Sequence, residues 1–216
     1  TYAADWTEYG AHVPAGTNDL DFPLDPVWAH PDVDAVGIDN YMPLSDWRDA
    51  HADGSNPDGA KSAVDLDALK AGITSGEAYD WYYAGQNDRD ASIRTPIVDG
   101  LAGKPWVFRP KDLRGWWENQ HFARAGGAEN PIATGWIPRS KPIWFTEFGC
   151  PAVDKGANQP NVFPDAKSAS AALPWYSDGG RNDLMQNRFI QAHLEHWADV
   201  LKNPVAPLFG SAMVDI

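Results

Sequence analysis

Carboxylates close three short apolar segments of this chain. Asp5 and Glu8 fall in ADWTEYG (4–10), Asp39 stands beside Asn40 in GIDNYMP (37–43), and Glu147 ends the run KPIWFT within 141–150. A carboxylate placed where a buried strand emerges is a natural catalyst, because the C-terminal strand ends of parallel α/β sheets open into the active site. Two such groups, one held protonated and one ionised, can cleave a glycosidic bond. The leaving oxygen needs a proton, and the oxocarbenium-like centre needs a negative partner. Glu8 and Glu147 are the candidate pair. The other reading makes each a loop-end glutamate satisfied by an arginine or a helix N-terminus, and the residues alone leave both open.

Other residue types fit the same chemistry. The chain carries 11 Trp beside 7 Tyr and 8 Phe. An indole is a poor economical core filler, since its N–H wants a partner, but it suits the apolar face of a sugar ring in a wet groove. Trp6, Trp47, Trp116, Trp117, Trp144 and Trp175 flank the proposed strand ends or sit in long loops, and two or three of them are expected to form sugar platforms while the rest pack. Asn40 and Tyr41 can position a ring or the nucleophile by hydrogen bonds, or simply cap a loop. Arg109 and Lys111 in WVFRPK can orient a substrate hydroxyl or carboxylate, or neutralise Glu8 or Asp39. His193 and His196 in HLEH share a helix face, yet no third ligand at suitable spacing accompanies them, so they read as solvated helix residues and no metal is expected. Cys150 has no nameable base or oxyanion donor and reads as packing. No phosphate loop or dinucleotide fingerprint is present, and no cofactor is expected.

The elements that must position these groups follow from hydrophobic pattern. Thr1–Trp6 and Val33–Ile38 read as strands. Lys104–Arg109 (KPWVFR) and Pro142–Glu147 (PIWFTE) are matching runs, each opened by Lys-Pro and closed by a charge, and continuous apolarity marks strands covered on both faces. Pro207–Ile216 can begin another. Val33–Ile38, Trp106–Arg109 and Ile143–Thr146 are therefore expected as neighbouring parallel strands. Leu66, Leu69 and Ile73 recur at helical spacing before Gly76, and Ile190, Leu194, Trp197 and Leu201 do so from Asp183 to Leu201. The segments 123–140 and 151–181 are long, rich in Gly, Pro, Asn and Trp, and expected to be functional loops. About five strands separated by crossovers make an α/β protein.

Composition narrows the partners. A formal charge of -13 with no basic patch argues against nucleic acid and anionic membrane surfaces. No apolar run approaches the roughly 20 residues of a membrane span. The lone Cys150 excludes an intramolecular disulfide framework. No repeat or linker divides the chain, so one domain over 1–216 is expected.

The segments ADWTEYG, DAVGIDNYMPLSDWRD, YDWYYA, RTPIVDGLAGKPWVFRPKDLRGWW, KPIWFTEFGCPAVDKGANQPNVF and PWYSDGGRNDLMQNRF resemble the glycoside-hydrolase-like TIM-barrel domain of gene transfer agents and related phage tail proteins. The resemblance runs over essentially the whole chain. It implies a (β/α)8 barrel of which about strands 4 to 8 lie here, with strands one to three expected upstream or replaced by self-association. It implies a domain of a tail-tip or baseplate protein, with other tail proteins and an envelope glycan as partners, in a phage-tail-like particle assembled in the cytoplasm and acting at the recipient cell envelope. Glu8 then maps to the acid/base of a retaining glycosidase and Glu147 to the nucleophile. Trp6, Asp39, Asn40, Tyr41, Trp47, Arg109, Trp116, Trp144 and Trp175 line the substrate site. The strand-4 signature of those retaining glycosidases is usually Asn-Glu, and here Thr7 precedes Glu8. The resemblance leaves two functions, a retaining hydrolase of cell-envelope polysaccharide or peptidoglycan glycan and a non-catalytic baseplate or glycan-binding module. A buried Glu147 bonded to an arginine favours the second.

Overall fold

The computed structural model describes residues 1–169 and 171–215. Ser170, within the long segment 151–181, and Ile216, at the end of the expected last strand, lie outside the described residues. The chain divides into two compact units. One comprises 1–40, 97–146 and 200–216, and the other 41–96 and 147–199.

The first unit is built on a four-stranded sheet of β1 (Ala3–Asp5), β2 (Val36–Asn40), β3 (Ile143–Phe148, which leaves this unit at its last two residues) and β4 (Val214–Asp215), in that spatial order. β1 pairs with β2 in parallel, Ala3 opposite Gly37 and Asp5 opposite Asp39, and β3 pairs with β4 in parallel, Ile143 opposite Val214. Parallel pairing needs long crossovers, and those crossovers are the irregular segments of the sequence. Strand residues alternate faces. Ala4, Val36, Ile38, Ile143 and Val214 are buried on one face, while Asp5, Asp39, Trp144 and Thr146 fall on the other, where Trp144 is 40% exposed. Gly37 is required by close approach, because a Cβ there would sit 2.3 Å from the Tyr2 carbonyl oxygen. This is a mixed α/β fold with a parallel sheet.

The expected strand at Lys104–Arg109 does not form. Pro105–Phe108 is a turn of 3-10 helix, closed by the Val107 and Arg109 N–H groups donating to the carbonyls of Lys104 and Trp106. Prolines at 105 and 110 bracket the run, so a ladder would lose a donor at each end, and Pro110 also restricts Arg109. The segment packs instead over a buried aromatic stack. His121 is fully buried between Phe22 (4.4 Å, 10°) and Trp136 (5.6 Å, 7°), its Nδ1 against the Asp25 carboxylate at 2.8 Å and its Nε2 2.8 Å from the Trp116 carbonyl. The Thr134 hydroxyl also donates to Asp25. Nearby, Arg124 grips Asp99 through two bonds of 2.8 and 3.0 Å, both side chains 2% exposed.

In the second unit, the helix Leu66–Gly72 is capped by Asp65, whose carboxylate accepts from the Asp67 and Ala68 N–H groups. It packs on the helix Asp183–Trp197, capped by the Asn182 side chain. That helix buries Met185, Phe189, Ala192, His193, His196 and Trp197, a face that keeps Trp197 of the expected stripe, half-buries Ile190 and is otherwise made by other residues. Leu194 is exposed, and Leu201 lies beyond the helix and is exposed. His193 and His196 are correspondingly not solvated, being 1% and 2% exposed. Their rings pack as aromatics, His193 on Phe148 and Phe189, His196 on Trp197. Three guanidiniums stiffen the rest of this unit: Arg48 stacks on Tyr176 (4.3 Å), Arg89 on Tyr83 and Trp175 (4.5 and 4.6 Å), and Arg94 on Trp81 (4.0 Å). No helix among the described residues is long and apolar enough to cross a membrane.

Candidate active site

Glu147 lies near the C-terminal end of β3, followed by Phe148, Gly149 and the buried Cys150. The strand becomes exposed as it ends, so the carboxylate stands in solvent rather than in the core. One oxygen, Oε2, accepts a 2.8 Å hydrogen bond from the Tyr41 hydroxyl. The Tyr41 ring is set edge-on against Phe163 at 5.8 Å. A phenol fixed by an aromatic neighbour thus orients one carboxylate oxygen and leaves Oε1 to solvent. Burial pushes the Cys150 thiol up to about 12, so at neutral pH it is an inert packing group, not a nucleophile.

The Glu8 side of the sequence is organised differently. Asp5, the last residue of β1, accepts from the Thr7 N–H (2.9 Å) and Thr7 hydroxyl (2.6 Å), and its carbonyl accepts from the Glu8 and Tyr9 N–H groups. Asp5 is therefore the brace of the turn Trp6–Glu8, and the Thr7 hydroxyl is committed to it. Glu8 is exposed at the tip, and its carboxylate makes no hydrogen bond among the described residues. Behind the turn Tyr9 is buried, donates to the Pro110 carbonyl (2.8 Å) and accepts the Trp28 indole N–H on its own carbonyl (3.0 Å). Burial, and then the Asp112 charge, hold its phenol well above the usual tyrosine range.

A pocket of about 280 Å³ opens beside this turn, with Trp6, Thr7, Trp106, Arg109 and Trp116 in its wall. It brings together Trp6, Arg109 and Trp116 from the expected substrate residues and adds Trp106, Gly10 and His12, which the sequence reading did not single out. Asp39 sits on β2 and accepts a 2.6 Å bond from the Thr146 hydroxyl of β3, and Asn40 is buried. Trp144 is the most exposed of the expected platforms, whereas Trp47 is buried. Trp47 and Trp175 are tied by one side chain: Asn158 accepts from the Trp47 N–H and donates to the carbonyls of Trp47 and Trp175. Asn158, in GANQPN, was legible only as a loop residue. Seven of the 11 Trp are buried: Trp28, Trp47, Trp81, Trp116, Trp117, Trp136 and Trp197.

The family model described as GTA TIM-barrel-like domain matches residues 1–216, the whole chain. No curated protein matches it.

Proposed function

We propose, from the premise that this chain belongs to the GTA TIM-barrel-like domain family, that it is a retaining glycoside hydrolase module acting on cell-envelope polysaccharide or peptidoglycan glycan. Membership associates the chain with gene transfer agents, and we place it in their tail-tip or baseplate with other tail proteins as neighbours, acting at the recipient cell envelope. The observation that carries the reading is the Glu147 carboxylate, exposed at a strand end and oriented by the Tyr41 phenol rather than locked to an arginine. A nucleophile needs this combination of a fixed direction and an open face.

In this reading a Glu147 oxygen attacks the anomeric carbon while Glu8 gives its proton to the departing glycosidic oxygen. The Glu8 carboxylate then takes a proton from water, whose oxygen displaces Glu147 and returns it as a carboxylate. The mechanism requires the two carboxyls to come within about 5 to 5.5 Å, since a direct nucleophile leaves no room for the water of an inverting enzyme. In this reading the four-stranded parallel sheet belongs to a (β/α)8 barrel.

One observation favours the other reading, a non-catalytic baseplate or glycan-binding module. Thr7 stands before Glu8 where the retaining glycosidases that the chain resembles usually carry an Asn for the sugar 2-hydroxyl, and its hydroxyl is committed to Asp5. The test is reducing-end release from purified envelope glycans by the full-length protein. Glu147→Gln is expected to abolish turnover with glycan binding nearly intact, and Glu8→Gln to slow poor leaving groups far more than activated ones. Wild-type protein inactive on every envelope glycan, or an unaffected Glu147→Gln variant, selects the non-catalytic module.

A further inference from the structure

Acidic residues are spread through this chain, 30 in all, yet two stretches have none. From Asn130 to Thr146 and from Val200 to Val214 there is no Asp or Glu, while Arg139, Lys141 and Lys202 fall within them. The first unit holds both stretches and joins them. The Ile143 N–H donates to the Met213 carbonyl at 2.7 Å, where β3 and β4 begin, and the Arg139 guanidinium donates to the Val205 carbonyl at 3.3 Å. Arg139 also lies over the Trp117 ring, which meets Phe209 as well, and Arg114 of the same short helix, Leu113–Glu118, donates to the Leu201 carbonyl. The chain leading into β3 and the chain leading into β4 thus form one face at the N-terminal end of the parallel sheet, while Asp5 and Asp39 stand at its C-terminal end.

The exposed side chains of that face are apolar. Ile137, Val200, Leu201, Val205 and Leu208 are 57 to 81% exposed. Single exposed aliphatics are ordinary on a protein surface, but four of these fall between Val200 and Leu208, and clustered apolar surface marks an interaction site. The turn that carries Leu208 is also fixed, by the antiparallel bridge of Val205 with Ala212 and by the Gly210 N–H donating to the Ala206 carbonyl at 2.9 Å. A preformed surface of this kind loses little freedom on docking.

Charge selects the occupant. Arg114 is paired with Glu118 at 3.2 Å, and Lys141 is turned to the His30 carbonyl. Arg139, by contrast, meets a carbonyl and an indole rather than a carboxylate, and Lys202 is exposed. Carboxylates arriving at this face find two cations to pair with. Two copies of the chain docked face to face would set these cations against their own counterparts with no acid from either stretch, and copies docked head to tail would not close. An anionic membrane is an extended plane, and it would meet the field of the whole net charge of -13. A protein can be acidic over one patch alone.

We propose that this face docks another protein of the same particle, one that presents apolar side chains among carboxylates. The inference rests on the particle placement above and adds to it where the neighbour sits and what its contact surface is made of. A partner at the N-terminal strand ends leaves the C-terminal ends, with Asp5 and Asp39, open to a glycan.

The experiment uses the full-length protein in purified particles, with the photo-cross-linker p-benzoylphenylalanine in place of Leu208 and, as a control in the other unit, in place of the exposed Ile93. Irradiation is expected to join position 208, and not position 93, to a segment of a different particle protein rich in aliphatic residues and in Asp or Glu. Lys202→Glu changes an exposed side chain. It is expected to cut the yield several-fold, or to leave the protein out of the particle, while the isolated variant keeps the wild-type melting temperature. Lys202→Arg is expected to retain the cross-link.

A cross-link to a second copy of this chain, the same cross-link from position 93, or a yield indifferent to Lys202→Glu overturns the proposal. Flotation of the isolated protein with phosphatidylglycerol vesicles, abolished by Lys202→Glu, overturns it in favour of a membrane surface. Particles that hold the protein but give no cross-link from position 208 remove this docking face while the placement in the particle stands. Particles without the protein remove the placement and the docking together. Glycan hydrolysis enters none of these outcomes.

Discussion

Glu8 and Glu147 both sit where a strand gives way to irregular chain, yet the two regions hold them by opposite means. Around Glu147 the carboxylate itself is engaged, by the Tyr41 phenol backed by Phe163. Around Glu8 the backbone is engaged, by the Asp5 brace, and the carboxylate is left to solvent. The supporting scaffolds differ in emphasis. The unit carrying Glu8 has the more deeply buried ion pair, Asp99–Arg124, and an aromatic stack around His121, with guanidiniums only 5.3 and 5.6 Å from Trp117 and Phe108, whereas the unit carrying Glu147 lays its guanidiniums closer, at 4.0 to 4.6 Å from four rings. The lesson concerns protonation and position. A group that must give a proton needs surroundings that keep it protonated, which at the exposed Glu8 must come with the bound substrate, and a group that must attack along one line gains from a fixed oxygen. Variants that weaken each support should separate the two strategies, and they are ordered here by expected loss of stability.

The largest effect belongs to Asp99. Its partner Arg124, 2% exposed, would keep only the longer contact to the Glu129 carboxylate at 3.6 Å, and breaking a buried pair from one side costs about 3–5 kcal/mol. Asp99→Ala is thus expected to lower the unfolding free energy by that amount in urea titrations read by tryptophan fluorescence. The pH dependence has a definite sign. Arg124, and then against the opposing effect of burial the N–H groups of Lys104, Ala102 and Leu101, hold the Asp99 carboxyl well below the usual aspartate range. A depressed folded value means stability fully present above the unfolded value of about 3.9 and lost as the pH falls through the lower folded one. The wild type should therefore weaken below about pH 4, and Asp99→Ala should lose part of that acid limb. A variant with unchanged midpoint and unchanged acid limb breaks the contrast between the two scaffolds.

Arg89 comes next. It meets Glu77 with two nitrogens and lies on both Tyr83 and Trp175. Arg89→Lys keeps the charge and removes the planar fork and the stacking surface. Each desolvated cation–π contact is worth about 0.5–2 kcal/mol, so a loss of about 1–2 kcal/mol is expected. Little change on Arg89→Lys, with a large loss on Arg89→Ala, would make this scaffold one of charge rather than stacking.

These scaffolds were only partly visible in the sequence. Pro142–Glu147 was legible as a strand because its apolar run is continuous and the chain after Pro142 can donate to a neighbour. Lys104–Arg109 shows the same pattern but is closed by Pro110, and that second proline was the signal against a strand. In the helix from Asp183, hydropathy counts histidine as polar. The stripe that packs runs through His193 and His196, whose rings serve as aromatic surface, while Leu194 faces solvent. Of the site, the residue types were legible and the partnerships were not. Tyr41 and Glu147 are 106 positions apart, Asp39 and Thr146 107 apart, and hydrophobic pattern carries no information on such pairings. The pocket beside the Glu8 turn joins residues 6–13 to 106–116, a juxtaposition that only the packed structure defines.

The smallest effect on stability, and the sharpest on the comparison, is expected from Tyr41→Phe. The lost hydroxyl lies on an exposed carboxylate, so both groups regain water, and surface changes of this kind stay within about 0.5 kcal/mol. The ring and its contact with Phe163 remain. What disappears is the bond that fixes Glu147 Oε2. A hydrogen bond to a charged group is worth about 1.5–3 kcal/mol, which in a barrier is roughly a tenfold to hundredfold loss of turnover. In the hydrolase reading this loss should fall on the attack step. It should therefore be the same for activated and poor leaving groups, in contrast to Glu8→Gln, which should discriminate between them. Equal turnover by wild type and Tyr41→Phe would show that Glu147 needs no fixed direction, and the distinction drawn between the two carboxylates would then collapse even if both are catalytic.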